Sequence, residues 1–140
     1  MKKSTEELYK LIKEKRDVAE YLEENSSELL FSSVHELLEF HINSKGLNRS
    51  EVIDKANLAK SYGYQILQGK KNASRDKLLC LCFGMELNLS ETNRVLKQAG
   101  LSALYPRVPK DAIIISCIEQ KKTLMEANEK LDELGEKILE

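Results

Sequence analysis

From Thr5 to about Glu23 the apolar residues Leu8, Leu11, Ile12, Val18, Ala19 and Leu22 recur at helical spacing, which predicts one amphipathic helix. The polar run Glu24-Asn25-Ser26-Ser27 breaks that pattern. Ser33-Val34-His35-Glu36 then has the form of a capping box, in which hydroxyl and carboxylate meet the free amides of a helix start. Leu37, Leu38, Phe40 and Ile42 give this second helix its apolar face, and Gly46 suits a left-handed cap at its end. Asn48 and Glu51 make another box-like start, for a helix running to about Ala56. Asn57 stands at the turn that follows, a residue type that tolerates positive φ. The next helix covers about Ala59 to Gln68, and Ser74 caps one that carries Leu78, Leu79, Leu81 and Phe83.

Beyond Ser74 the pattern repeats at an offset of 35 residues. RDKLLCLCFGMELNLSETNRVLKQAG from Arg75 aligns with KDAIIISCIEQKKTLMEANEKLDELG from Lys110. Asp76, Cys82, Leu89, Glu91, Asn93, Leu96 and Gly100 recur as Asp111, Cys117, Leu124, Glu126, Asn128, Leu131 and Gly135. Asn88 with Glu91, and Thr123 with Glu126, look like the capping pair of the second helix in each copy. The alignment predicts a duplicated helical hairpin. The copies are joined through Ala103–Pro109, with Pro109 in the first turn of the helix after it. The resulting division is an N-terminal helical extension over 1–31, a central domain over 32–101, and a C-terminal hairpin over 102–140 that repeats 75–101.

A chain of 140 residues with few glycines and prolines and no tryptophan fits an all-α domain with a real core. It has no run of about 18 apolar residues that would span a membrane. The start MKKSTEELYK lacks the apolar stretch of a secretory signal, so a cytoplasmic location is expected. Three cysteines, an odd number without an export signal, argue against a disulfide framework, and Cys80, Cys82 and Cys117 lack metal-ligand spacing, so they read as buried thiols. His35 and His41 are six apart, off a shared helix face, and read as solvated. The chain has no Gly-rich phosphate loop, no HExxH, no Cys-His-Asp set and no paired acidic site, so neither an enzyme nor a cofactor or metal is expected.

The net charge of −1 hides an uneven distribution. Residues 46–77 carry seven basic and three acidic groups, or +4, while 1–45 and 78–140 come to −3 and −2. Positive charge therefore gathers on the stretch from Leu47 to Leu78, the local footprint expected of phosphate contact. That same stretch reads as two short helices, a tight turn, a Gly-containing basic loop and a third helix start. This is the layout by which a helix-turn-helix offers one helix to the major groove.

Here the chain resembles the Cro/C1-type (XRE-like) repressor family. The resemblance is carried by Asn48-Arg49-Ser50-Glu51-Val52, by Ile66, and by Gly69-Lys70-Lys71-Asn72-Ala73-Ser74. More loosely, the whole chain resembles a subgroup with extra C-terminal helix pairs. The resemblance implies an all-α, Cro/C1 repressor-like helix-turn-helix bundle, preceded by the amphipathic helix and followed by the duplicated hairpin. It implies base reading by Lys60, Ser61 and Gln65 from helix 59–68; lysine can donate to guanine O6 and N7, and glutamine can pair with adenine. It also implies backbone contacts from Asn48 and Arg49, from Tyr62 and Tyr64, and from Lys70, Lys71 and Asn72 on the loop. Tyr62 and Tyr64 are two apart and cannot share a helix face, so one of them is a candidate for the core.

The chain departs from the family pattern at two linked positions. Ile53 stands where alanine is usual, and Gly63 where a branched apolar residue is usual. In the family's motif these positions face each other across the two helices, so the resemblance implies a large-for-small change matched by a small-for-large one, with volume conserved. Gly63→Ala should stabilise an ordinary helix and destabilise one whose packing needs the missing side chain.

The resemblance implies a DNA-binding regulator, repressor-like, acting as a homodimer on a palindromic operator. The N-terminal helix and the C-terminal hairpins are the candidate dimer or partner surfaces, with Leu124, Leu131, Leu134 and Ile138 as one stripe. The acidic flanks, Gly63 and the helical repeat suit a different function, a helical adaptor or antitoxin-like partner binder without specific DNA reading.

Overall fold

A computed structural model describes residues 3–14, 17–25 and 28–140. Ser26 and Ser27, half of the expected break after Glu24, lie outside the described residues. Among those described, all regular structure is helical, and no helix is long and apolar enough to cross a membrane. The chain divides into two compact units, Met1–Ser32 and Ser33–Glu140.

The first unit holds α1 (Thr5–Glu14) and α2 (Val18–Glu24), which pack together. The single helix expected over 5–23 is thus two. The apolar period does run through, but Asp17 is extended (φ −106°, ψ 109°) and its carboxylate accepts the Ala19 amide at 3.0 Å, capping a fresh start. At the end of α2, Asn25 is buried and its side chain donates to the Tyr21 carbonyl at 2.9 Å. None of the side chains of α1 is buried.

The second unit contains α3 (Val34–Ser44), α4 (Arg49–Lys55), α5 (Lys60–Leu67), α6 (Arg75–Gly84), α7 (Leu89–Gln98), α8 (Pro109–Glu119) and α9 (Leu124–Glu133). Side-chain caps expected from the sequence are present: Ser33, Asn48 and Ser74 each accept the amide three residues on. Asn88–Glu91 and Thr123–Glu126 close both bonds of the capping box.

Helix α6 is the centre. Every residue from Leu78 to Gly84 is buried, because α4, α7 and α9 all pack on it. Its last residue has no room for a side chain: a Cβ on Gly84 would stand 2.5 Å from the Val52 carbonyl oxygen. Helices α4 and α6 therefore meet backbone to backbone at that point.

One turn serves four connections. Gly46, Asn57, Glu86 and Lys121 take φ of 63°, 55°, 56° and 56°, each followed by one residue and then the next helix's N-cap. The residue after each donates its amide five positions back: Leu47 to Ile42, Leu58 to Ile53, Leu87 to Cys82 and Lys122 to Cys117, at 2.9–3.2 Å. This is the bond of a Schellman end, which satisfies carbonyls the helix would leave bare. Asn57 thus makes the turn foreseen for it. Glu86 and Lys121 make the same turn without a residue type that announces it.

The repeat continues past Gly100 and Gly135. Asn93 accepts the Leu104 amide at 2.8 Å, and Asn128 accepts the Leu139 amide at 2.8 Å, so both leucines are tied down and buried. Of the apolar stripe offered as an interface, Leu124 and Leu131 are core, while Leu134 and Ile138 are exposed.

Candidate nucleic-acid interface

Helix α5 buries Gly63, Ile66 and Leu67, which fixes the face it turns outward. Ser61 and Gln68 are exposed on that face, and Tyr64 and Gln65 are half-buried beside them. The helix is short at both ends. Ala59 gives no side-chain cap, and after Gln68 the chain turns through Gly69 (φ 77°), with the Lys70 amide returning to the Gln65 carbonyl at 2.9 Å. The same turn leaves Lys70, Lys71 and Asn72 exposed.

Three of the candidate residues are already engaged. Asn48 spends its side-chain oxygen on the Glu51 amide at 3.0 Å. Arg49 makes two hydrogen bonds to Glu39 on α3, one of 3.2 Å from Nε, and this carboxylate holds the guanidinium pKa above its ordinary value. Lys60 folds back along α4, where its ammonium donates to the Ser50 carbonyl at 2.6 Å and to the Ser50 hydroxyl and pairs with Asp54 at 2.9 Å.

Tyr62 and Tyr64 are both half-buried, so neither is the fully enclosed core aromatic that one of them was a candidate to be. Tyr62 lies beneath two ammonium groups, Lys71 at 5.8 Å and Lys77 at 5.9 Å from its ring centre, within cation–π reach. Lys77 was not singled out in the sequence. It sits on the next helix, and only the fold brings it to the tyrosine. The surface therefore offers polar groups from α5 flanked by Lys70, Lys71 and Lys77.

Gly63 lies directly against Ile53. A Cβ there would fall 2.6 and 2.7 Å from Ile53 Cγ2 and Cγ1, so the two positions share one side chain's space. In the other two hairpins the equivalent pairs are Cys82 with Thr92 and Cys117 with Ala127, all buried. The bulk removed at Gly63 is supplied by Ile53.

The expectation of solvated histidines fails at His41. It is buried, with Nδ1 3.8 Å from the Glu91 carboxylate and Nε2 without a hydrogen-bond partner among the described residues. Its neighbours Leu37, Leu38 and Ile42 are buried too, and α3 packs on α7. Burial lowers its pKa, against the pull of Glu91 and with that of Lys45 and Arg94. The cysteines are buried as expected; burial raises Cys80 to about 11 and Cys82 to about 12, which keeps both as thiols near neutral pH. Among the described residues no group of three or more His, Cys, Asp or Glu side chains could hold a metal ion.

No family model, curated protein or solved structure matches this chain.

Proposed function

We propose that the chain is a sequence-specific DNA-binding regulator of the Cro/C1 type, repressor-like, with α5 entering the major groove. The observation that carries this is the outward face of α5, Ser61 with Gln65, set within the net-positive stretch 46–77. In this reading Gln65 and Ser61 reach base edges, and Lys60 joins them by leaving Asp54 and Ser50. The exposed ion pair contributes about 0–1 kcal/mol, and the ammonium exchanges its exposed bonds to Ser50 for bonds to the DNA. Tyr62, Tyr64, Lys70, Lys71 and Asn72 would lie along the phosphates, with Asn48 and Arg49 at the start of α4. Two copies on a palindrome would double the few bases that one short helix reads.

Selection from random duplexes at two salt concentrations tests the reading, comparing the natural chain with a Lys60→Ala, Gln65→Ala double variant. An enriched site that the variant loses is expected. Weak, salt-sensitive binding with no enriched site, the same in both proteins, would refute it.

A second reading, a helical adaptor or antitoxin-like partner binder, draws on the cations that open α4 and α5. Arg49 is paired with Glu39 and Lys60 with Asp54, which lowers the positive potential of the face. Failure of the selection together with capture of a specific protein partner would favour it.

A further inference from the structure

The two C-terminal hairpins meet in a reciprocal way. Helix α6 of the first packs on α9 of the second, and α8 of the second packs on α7 of the first. Exchanging the copies (α6 for α8, α7 for α9) turns each of these contacts into the other. The charges obey the same exchange. Arg75 grips Asp111 with two bonds, at 3.0 and 2.9 Å, and Lys110, the counterpart of Arg75, pairs at 3.6 Å with Asp76, the counterpart of Asp111. On one side the Tyr105 amide also donates to Asp111, at 3.0 Å. Repeats stacked by translation would leave each such contact seeking a third copy. Here the helix contacts and the ion pairs are answered within the pair, as in the isologous interface of a two-fold dimer.

We infer that α8–α9 takes the place of a second copy of α6–α7. The surface it covers is self-complementary, and the partner that fits this surface is another α6–α7 hairpin of this chain. The cis hairpin hangs on the short connection that ends at Val108, which gives it an effective concentration on the order of millimolar. At micromolar protein the cis hairpin therefore wins, and the chain is monomeric through this face. The inference is independent of the DNA reading; a palindrome-bound pair would assemble through other surfaces.

The test reverses charge on the full chain. In the Lys110→Asp, Asp111→Lys variant, Arg75 meets lysine and Asp76 meets aspartate, so the cis contact repels. Two α6–α7 faces from different molecules would still attract, through Arg75 and Asp76 of each. Adding Arg75→Asp and Asp76→Lys to the same chain restores both cis attractions.

Light scattering at about 100 µM should give 16.0 kDa for the natural chain, twice that for the double variant, and 16.0 kDa again for the quadruple variant. A double variant that unfolds by circular dichroism, with folding as a monomer recovered in the quadruple variant, also supports the reciprocal pairing. A natural chain that dimerises and is made monomeric by the double variant would overturn the inference. So would a double variant that stays folded and monomeric, or an unfolded one that the quadruple variant does not recover.

Discussion

Gly63→Ala is the substitution whose sign is decided by packing. In a bare helix it would stabilise by about 1 kcal/mol, the usual gain of alanine over glycine. Here the new methyl lands 2.6 Å from Ile53 Cγ2 and 2.7 Å from Cγ1. Both atoms branch from Cβ, and a β-branched side chain in a helix has essentially one χ1 rotamer, so neither can swing aside. Ile53 is fully buried, which leaves no solvent to retreat into. Overpacking of this kind costs about 1–3 kcal/mol and here exceeds the propensity gain, for a net loss of up to about 2 kcal/mol. In an Ile53→Ala background the obstacle is gone, and the same substitution becomes stabilising by about 1 kcal/mol. The change of sign amounts to a coupling of about 1–3 kcal/mol, as expected of residues in direct contact. Urea denaturation of the natural chain, both single variants and the double variant measures all four corners. A Gly63→Ala effect of the same sign in both backgrounds would refute the argument.

Gly84→Ala should be more damaging, by about 3 kcal/mol or more, because its Cβ meets the Val52 carbonyl oxygen at 2.5 Å and backbone cannot move aside as a side chain can; thermal melting reads this, and an unchanged midpoint would contradict the backbone contact. His41 has a lowered pKa in the folded chain, so unfolding takes up a proton as the pH falls below its ordinary 6.5. Stability should be complete above that pH and decline below it, and a His41→Leu variant should lose this part of the pH dependence in urea titrations. Asp111→Ala strands the Arg75 guanidinium and should cost about 2–3 kcal/mol by chemical denaturation. Burial pushes the Asp111 carboxyl up, but Arg75 and the Tyr105 amide outweigh it and hold the pKa below 3.8. The contribution of the pair is therefore complete above pH 3.8 and is lost as the pH falls through the lower folded value, which the acid limb of the same titration should show in the natural chain and not in the variant.

Features written in neighbouring residues were legible in the sequence. Capping boxes join side chains to amides three residues away, so Asn88–Glu91 and Thr123–Glu126 are visible as spacings. The 35-residue offset was legible because the same residues recur at a fixed spacing, although Asn93–Leu104 and Asn128–Leu139 carry it further than matching letters do. The break between α1 and α2 was not legible, because the apolar period keeps phase across it and the cap on Asp17 is a single local bond. At the candidate interface the outward placement of Ser61 and Gln65 on α5 and the facing of Ile53 and Gly63 both followed from the resemblance. The engagement of Arg49 by Glu39 and of Lys60 by Asp54 did not follow, since each pair joins two different helices. The burial of His41 was hidden likewise: its surroundings on α7 lie 50 residues away, at Glu91.

The four left-handed turns also govern how the chain finds its fold. Three of them, at Asn57, Glu86 and Lys121, close packed helix pairs through residues adjacent in sequence, and topologies dominated by such local contacts fold on microsecond-to-millisecond timescales. What cannot form early is the set of junctions between pairs: the close approach of Gly84 to Val52 on one side of α6 and the grip of Arg75 on Asp111 at its start. Helix α6, enclosed by α4, α7 and α9, is thus the element on which separately formed pairs condense, and its amides should be the last to exchange with solvent.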